Sequence, residues 1–220
     1  MYKNLLLIIT LLISCSLSGQ EYFEGTMTFS VDFKGEMAEM LRQNEPNTKL
    51  TMHLKDGDYI VLLQEGRYPK TFLFVADSNY EYSVDQNNRA AYRYSLHNDM
   101  NMETHQLERD VDLEAQPTGE RVQVNGITCD VYRLRKPEAV FFYSVSEEFR
   151  VDRSRYPDPC RSKASFLVPG LEGRIPLKTV KKTEGLTVTT TLTGVKQREF
   201  NPGQFRIPRG FLVKKRDYRY

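Results

Sequence analysis

GRIPLKTVKKT-EG-LTVTTTLTGV, residues Gly173 to Val195, decides the fold. Two runs with the period of a strand, Gly173–Thr183 and Leu186–Val195, flank Glu184-Gly185, a two-residue hairpin signal. On the second run Leu186, Val188 and Leu192 share one face, and Thr187, Thr189, Thr191 and Thr193 share the other. One buried face and one wet face are the mark of an antiparallel sheet.

The same alternation extends in both directions. Tyr22–Phe33, Leu50–Leu54, Tyr59–Leu63 and Phe72–Phe74 read as strands, with breaks at Asp56-Gly57 and Glu65-Gly66. Tyr80–Val84 and Tyr92–Leu96 pair around the turn Asp85–Asn88. Arg121–Val124 and Cys129–Leu134 pair around Asn125-Gly126, and Val140–Val145 follows. Helical spacing is clearest in Lys34–Asn44, through Met37, Met40 and Leu41. Residues 97–120 are acidic, lack an apolar stripe and close on Pro117-Thr118-Gly119, which reads as a long connector. The expectation is a mainly β (α+β) fold: a single strongly curved antiparallel sheet of nine to eleven strands, an open half-barrel with one or two covering helices. A sheet of that size must curl or close.

The first 20 residues stand apart. Lys3 precedes an apolar run from Leu5 to Ile13 and then small residues, the pattern of a secretory signal. Two exits are open: conventional cleavage around Ser16–Ser18, which is favoured, or a lipobox at Leu12–Cys15 that would leave Cys15 lipidated. Only Ser16–Gln20 separate Cys15 from the first strand, a short tether for a lipoprotein. Residues 21–220 then form one exported, periplasmic domain; the alternative location is the outer membrane, anchored through Cys15. Beyond the signal, Cys129 and Cys160 are the two remaining cysteines, and in an oxidising compartment they are expected to pair.

Net charge is only +2, yet residues 121–220 carry 21 Lys and Arg against 10 Asp and Glu, while residues 1–120 carry 10 against 19. That asymmetry suits contact with anionic headgroups at a membrane surface. An exported chain is not expected to meet nucleic acid.

His97, Met100, Met102 and His105, in HNDMNMETH, offer the imidazoles and thioethers that reduced copper favours. No thiolate joins them and they lie in the connector, so no metal or other cofactor is expected. No nucleophile elbow, phosphate loop, dinucleotide fingerprint or zinc-protease helix occurs. Glu147 and Glu148 are adjacent and would face opposite sides of a strand. No catalytic residues are assigned, and no enzyme is expected.

Four segments carry a resemblance. NGITCDVYRL (Asn125–Leu134), VPGLEGRIPLK (Val168–Lys178), FRIPRGF (Phe205–Phe211) and EGTMTF (Glu24–Phe29) resemble motifs of an uncharacterised bacterial envelope family, catalogued as domain of unknown function forty-four twelve. That family resembles periplasmic lipoprotein carriers of the LolA/LolB-like fold. The resemblance implies a curved, incompletely closed sheet whose apolar trough accepts acyl chains, lipid or lipoprotein, with no catalytic residues. Binding residues are not assigned. In the alternative reading, the helix around Met37–Leu41 fills the trough and the protein is an envelope scaffold or protein-interaction module.

Overall fold

The computed structural model describes residues 22–95, 114–156 and 166–215. The first half runs β1 (Gly25–Lys34), α1 (Ala38–Gln43), β2 (Lys49–Lys55), β3 (Asp58–Gln64), β4 (Lys70–Val75), β5 (Tyr80–Asp85) and β6 (Ala90–Ser95). The second half runs β7 (Gln116–Val124), β8 (Ile127–Lys136), β9 (Ala139–Arg150), β10 (Arg174–Thr183), β11 (Leu186–Gln197) and β12 (Leu212–Lys215). All twelve strands belong to one open sheet, ordered β12-β6-β5-β4-β3-β2-β1-β11-β10-β9-β8-β7.

Meanders supply most of this order. The structural join is β1 against β11, which brings together strands from opposite ends of the chain and stitches the two meanders side by side. The Gly173–Val195 stretch forms β10 and β11, closed at Thr183↔Leu186 with Gly185 at φ +70°. Phe29↔Leu192 and Phe33↔Val188 put the apolar residues of β11 on the same face as those of β1. That face continues through Leu50, Met52 and Leu54 of β2, then Tyr59 and Val61 of β3, to Phe72 and Phe74 of β4.

The sheet curls towards this inner face. Beyond Asp130 the β7–β8 hairpin parts from β9 and packs Val124 and Cys129 into the same core as Met27, Ile175 and Leu192. At its tip the Asn125 amide donates to the Leu192 carbonyl of β11, three strands away in sheet order. Only a strongly curved sheet brings those strands into contact. Asn125 and Gly126, at φ +51° and +81°, supply the left-handed turn that this tip requires.

The expected covering helix is corrected. α1 has six residues and buries only Ala38, while Met37 and Met40 are 43% and 53% exposed. Glu45 at φ +48° and Pro46 stop it after little more than one turn. The trough is filled instead from the chain between β9 and β10. Val151, Tyr156, Phe166 and Leu167 lie buried in the central core. Tyr59 stacks on Phe74 at 5.1 Å and on Tyr156 at 6.3 Å, and Phe166 meets Tyr59 edge-on at 5.5 Å. Gly170 is needed below this insert: a Cβ there would lie 2.7 Å from the Ala115 carbonyl oxygen, at φ +82°.

Two smaller differences concern the edges. β7 begins at Gln116, inside the stretch read as a connector, with irregular pairing between Pro117 and Arg121. β12 was not expected; it pairs parallel to β6 and makes the twelfth strand. It ends a strap, residues 198–211, that crosses the second face of β3–β6 and buries Phe200 and Phe205 against Leu73, Tyr82, Val84 and Ala91.

Phe166→Ala removes the ring that meets both Tyr59 and Tyr156 edge to face, and core truncations of this kind cost about 3–5 kcal/mol. Urea unfolding should show a midpoint lowered accordingly. A change below about 1 kcal/mol would mean that the insert does not fill the trough.

Candidate functional site

Three of the concavities formed by the described residues are candidates for a site. The first is the inner trough. Around Phe166 it is closed, leaving a void of only about 30 Å³ among Phe29, Leu50, Met52, Thr179 and Thr190, room for one water. Beyond that point towards the β10–β11 turn, Val31, Phe33, Leu50, Leu63, Phe72 and Val188 are only half-buried. The register aligns them as a continuous apolar strip. On the β8–β10 side of that end Lys181, paired with Val188 and 5.8 Å from the Phe141 ring, shares the face of the strip with the exposed Lys136, while Lys182, 5.3 Å from the Phe142 ring, and Arg135 lie on the opposite face.

The second is a 570 Å³ cleft at the other end of the sheet, between the start of β1, the β2–β3 turn and the chain after β9. Three of its charged groups are matched. Arg155 pairs with Asp56, and Asp152 accepts from the amide and hydroxyl of Ser154. Burial pushes the Tyr156 phenol far above its ordinary range, so it exchanges no proton near neutrality.

The third is a 320 Å³ cavity between the second face of β2–β5 and the strap. Ile60, Leu62, Leu73 and Val84 form its floor, and Phe200 and Phe205 form a wall, their rings edge to face at 5.1 Å. His53 enters from β2, with Nδ1 2.8 Å from Thr26 Oγ1. Burial, and then the Arg198 guanidinium, hold the imidazole below its ordinary 6.5.

The residues singled out in the sequence fall differently. Cys129 is fully buried in the central core, with its thiol 3.6 Å from the Ile127 carbonyl. Burial, reinforced by Asp130 and Glu148, pushes that thiol up to about 11, which leaves it a poor nucleophile. Cys160, Cys15, His97, Met100, Met102 and His105 lie outside the described residues. Among the described residues no group of His, Cys, Asp or Glu is placed to hold a metal ion, and no helix is long and apolar enough to cross a membrane. Glu147 accepts from both Arg150 and Arg174. Arg174, itself buried, also donates to the Leu171 carbonyl and lies 4.8 Å from the Tyr132 ring, so this group locks the turn before β10. The strap cavity was missed in the sequence. Its one local signal, Phe205-Arg-Ile-Pro-Arg-Gly-Phe211, reads there as a family likeness and not as a place in the fold.

No family model matches the chain, and no curated protein matches it. Among solved structures, PNGF-II superposes with a TM-score of 0.51 at 14% identity, over 88% of this chain and 32% of that one. The chain thus spans about a third of the length of PNGF-II, and the likeness shows a shared fold alone. An uncharacterised conserved protein from Thermus thermophilus gives 0.49 at 10% identity, over 88% of this chain and 91% of that one. The LolA superfamily protein NE2245 from Nitrosomonas europaea gives 0.36 at 9%, over 84% and 90%.

The depressed His53 gives a pH dependence of defined sign. Above pH 6.5 the imidazole is neutral in both folded and unfolded chains. As pH falls through that value the unfolded chain takes a proton that the folded chain refuses, so stability is lost with acidification until the lower folded pKa is passed. The urea midpoint should therefore fall on going below pH 6.5. His53→Gln should flatten that part of the profile. An unchanged slope in the variant would show that His53 titrates freely.

Proposed function

We propose that this protein is a non-catalytic binding module of the bacterial envelope, taking acyl chains of a lipid or lipoprotein in the open end of its inner trough. The half-buried strip from Val31 and Phe33 through Leu50, Leu63 and Phe72 carries the reading. Apolar surface left continuous and unfilled on a concave sheet suits an extended hydrocarbon chain. The cations of β8 and β10 beside it would face anionic headgroups, so a membrane surface is the natural place for loading and release. Export to the periplasm after removal of residues 1–20, with anchoring through Cys15 as the alternative, belongs to the same proposal.

A scaffold reading is favoured by a different observation. Tyr156, Phe166 and Leu167 already fill the centre of the trough with the chain's own side chains. A sheet stabilised in that way needs no ligand and could present its surface to another envelope protein.

Titration of the delipidated protein with a dansylated C11 fatty acid separates the two. Saturable binding is expected, weakened at least tenfold by Val188→Glu, which places a charge in the strip. No binding, together with no phospholipid or acylated peptide in organic extracts of protein purified from its native envelope, would leave the scaffold.

A Cys129–Cys160 bridge is part of the proposed exported state. Tyr156 and Phe166, which flank residues 157–165, lie in the same core cluster as Cys129. The residues on either side of the segment carrying Cys160 therefore belong to the same core as its intended partner. Closing a loop of this size contributes about 3–4 kcal/mol when the geometry is unstrained. Peptide mapping of unreduced periplasmic protein should recover a Cys129–Cys160 peptide. Two thiols that alkylate once the unreduced chain is denatured would exclude it.

A further inference from the structure

We infer that the cavity under the strap is a separate binding site for a small amphipathic anion, a carboxylate with a compact apolar body, bound through Arg198. It lies on the opposite face of the sheet from the trough and does not depend on the function proposed above.

The cavity's chemistry is divided. Two cross-strand ladders make its floor: His53↔Ile60↔Leu73, and Leu62↔Thr71↔Val84. The strap roofs it, held down by the Phe205 ring, by the Lys55 ammonium donating to the Phe200 carbonyl at 2.8 Å, and by β12. At 320 Å³ it admits on the order of ten heavy atoms, at roughly 30 Å³ each. No Asp or Glu lies among its described lining residues, whereas Arg198 and Arg206 both do; Arg198 also borders the 570 Å³ cleft, whose lining includes Glu24 and Glu199. Arg198 stacks its guanidinium 4.3 Å from the Phe200 ring, and its buried Nε has no hydrogen-bond partner among the described residues. A buried donor on a permanent cation costs stability until an acceptor reaches it. An anionic oxygen supplies that acceptor, and the ladders accept its apolar tail. Gln86 and Gln204, also in the lining, offer uncharged polar groups.

His53 reports occupancy. Arg198 is one of the two causes that hold its imidazole down. A carboxylate set against Arg198 offsets that cation and raises the His53 pKa.

Octanoate, with ten heavy atoms, is the probe, and the full mature protein is the sample. Titration followed by methyl and imidazole NMR should give saturable binding with a dissociation constant on the order of 0.1–1 mM. Shifts should fall on the methyls of Ile60, Leu73 and Val84, and the His53 pKa should rise. Octanol should bind at least tenfold more weakly, because it lacks the charge. Arg198→Met should reproduce that loss, and Val84→Phe should block entry; thermal midpoints identify any variant that fails to fold. Arg206→Gln, on an exposed residue at the mouth, gives a milder loss without touching the core. Val188→Glu, which disables the trough, should leave octanoate binding intact.

The inference is overturned by shifts confined to Val188 and Leu50, by equal binding of octanol, or by no saturation at about 10 mM. The wild-type shift map decides even where a variant does not fold.

Discussion

The structure turns on the stack at Tyr59. Its ring is fully buried between Phe74 on one side and Tyr156 on the other, with Phe166 against its edge. Tyr59 and Phe74 belong to the sheet, whereas Tyr156 and Phe166 belong to the insert between β9 and β10. Four rings from elements about a hundred residues apart thereby hold a single contact. A twelve-stranded open sheet has a large apolar face and no partner sheet to bury it. Folding the insert down onto Tyr59 provides that burial, and curling the β7–β8 hairpin over the same core completes it. The curvature is a consequence of what the inner face has to cover.

Filling the trough from one end leaves the other end half-open, and this division sets the functional question. At the closed end, side chains of the protein occupy the space that a ligand would need. At the open end, the strip from Phe33 to Phe72 retains apolar exposure beside the cations of β8 and β10. The two readings of function therefore rest on different stretches of one surface, and they differ in how far along it the protein's own side chains extend.

Much of the fold was legible because period-two alternation is a local signal. Leu186, Val188 and Leu192 fall on one face in the sequence and in the structure alike, and the turns at Asp56-Gly57, Asn125-Gly126 and Glu184-Gly185 sit between the strands they were read to join. What escaped was set by tertiary contact. Met37, Met40 and Leu41 have helical spacing, but a helix of six residues gains little from propensity, and against the sheet it buries Ala38 alone. The insert itself was hidden by composition. Among the described residues of this stretch, set between Arg and Pro, the buried apolar ones are Val151, Tyr156, Phe166, Leu167, Val168 and Leu171, too irregularly spaced to make a pattern. β12 is four exposed residues long, and it is a strand only because β6 offers an edge. Of the proposed sites, the trough was foreseen as a consequence of curvature. The cavity under the strap was not, because its floor and its Arg198 come together only when the C-terminal segment is laid across strands far back in the chain.

That crossing also gives the terminal motif a physical role. Phe205 and Phe211 anchor the strap in the second core cluster, Gly210 at φ +81° turns it, and Leu212 then enters the sheet with its amide donating to the Arg89 carbonyl. An antiparallel edge at β6 would be open to pairing with another chain, and a short parallel strand carrying Lys214 and Lys215 closes it. The same segment thus protects an edge and buries the second face of β3–β6. In doing so it half-buries Arg198 with its Nε unpartnered among the described residues, and that residual cost is what would give a small anion a reason to bind there.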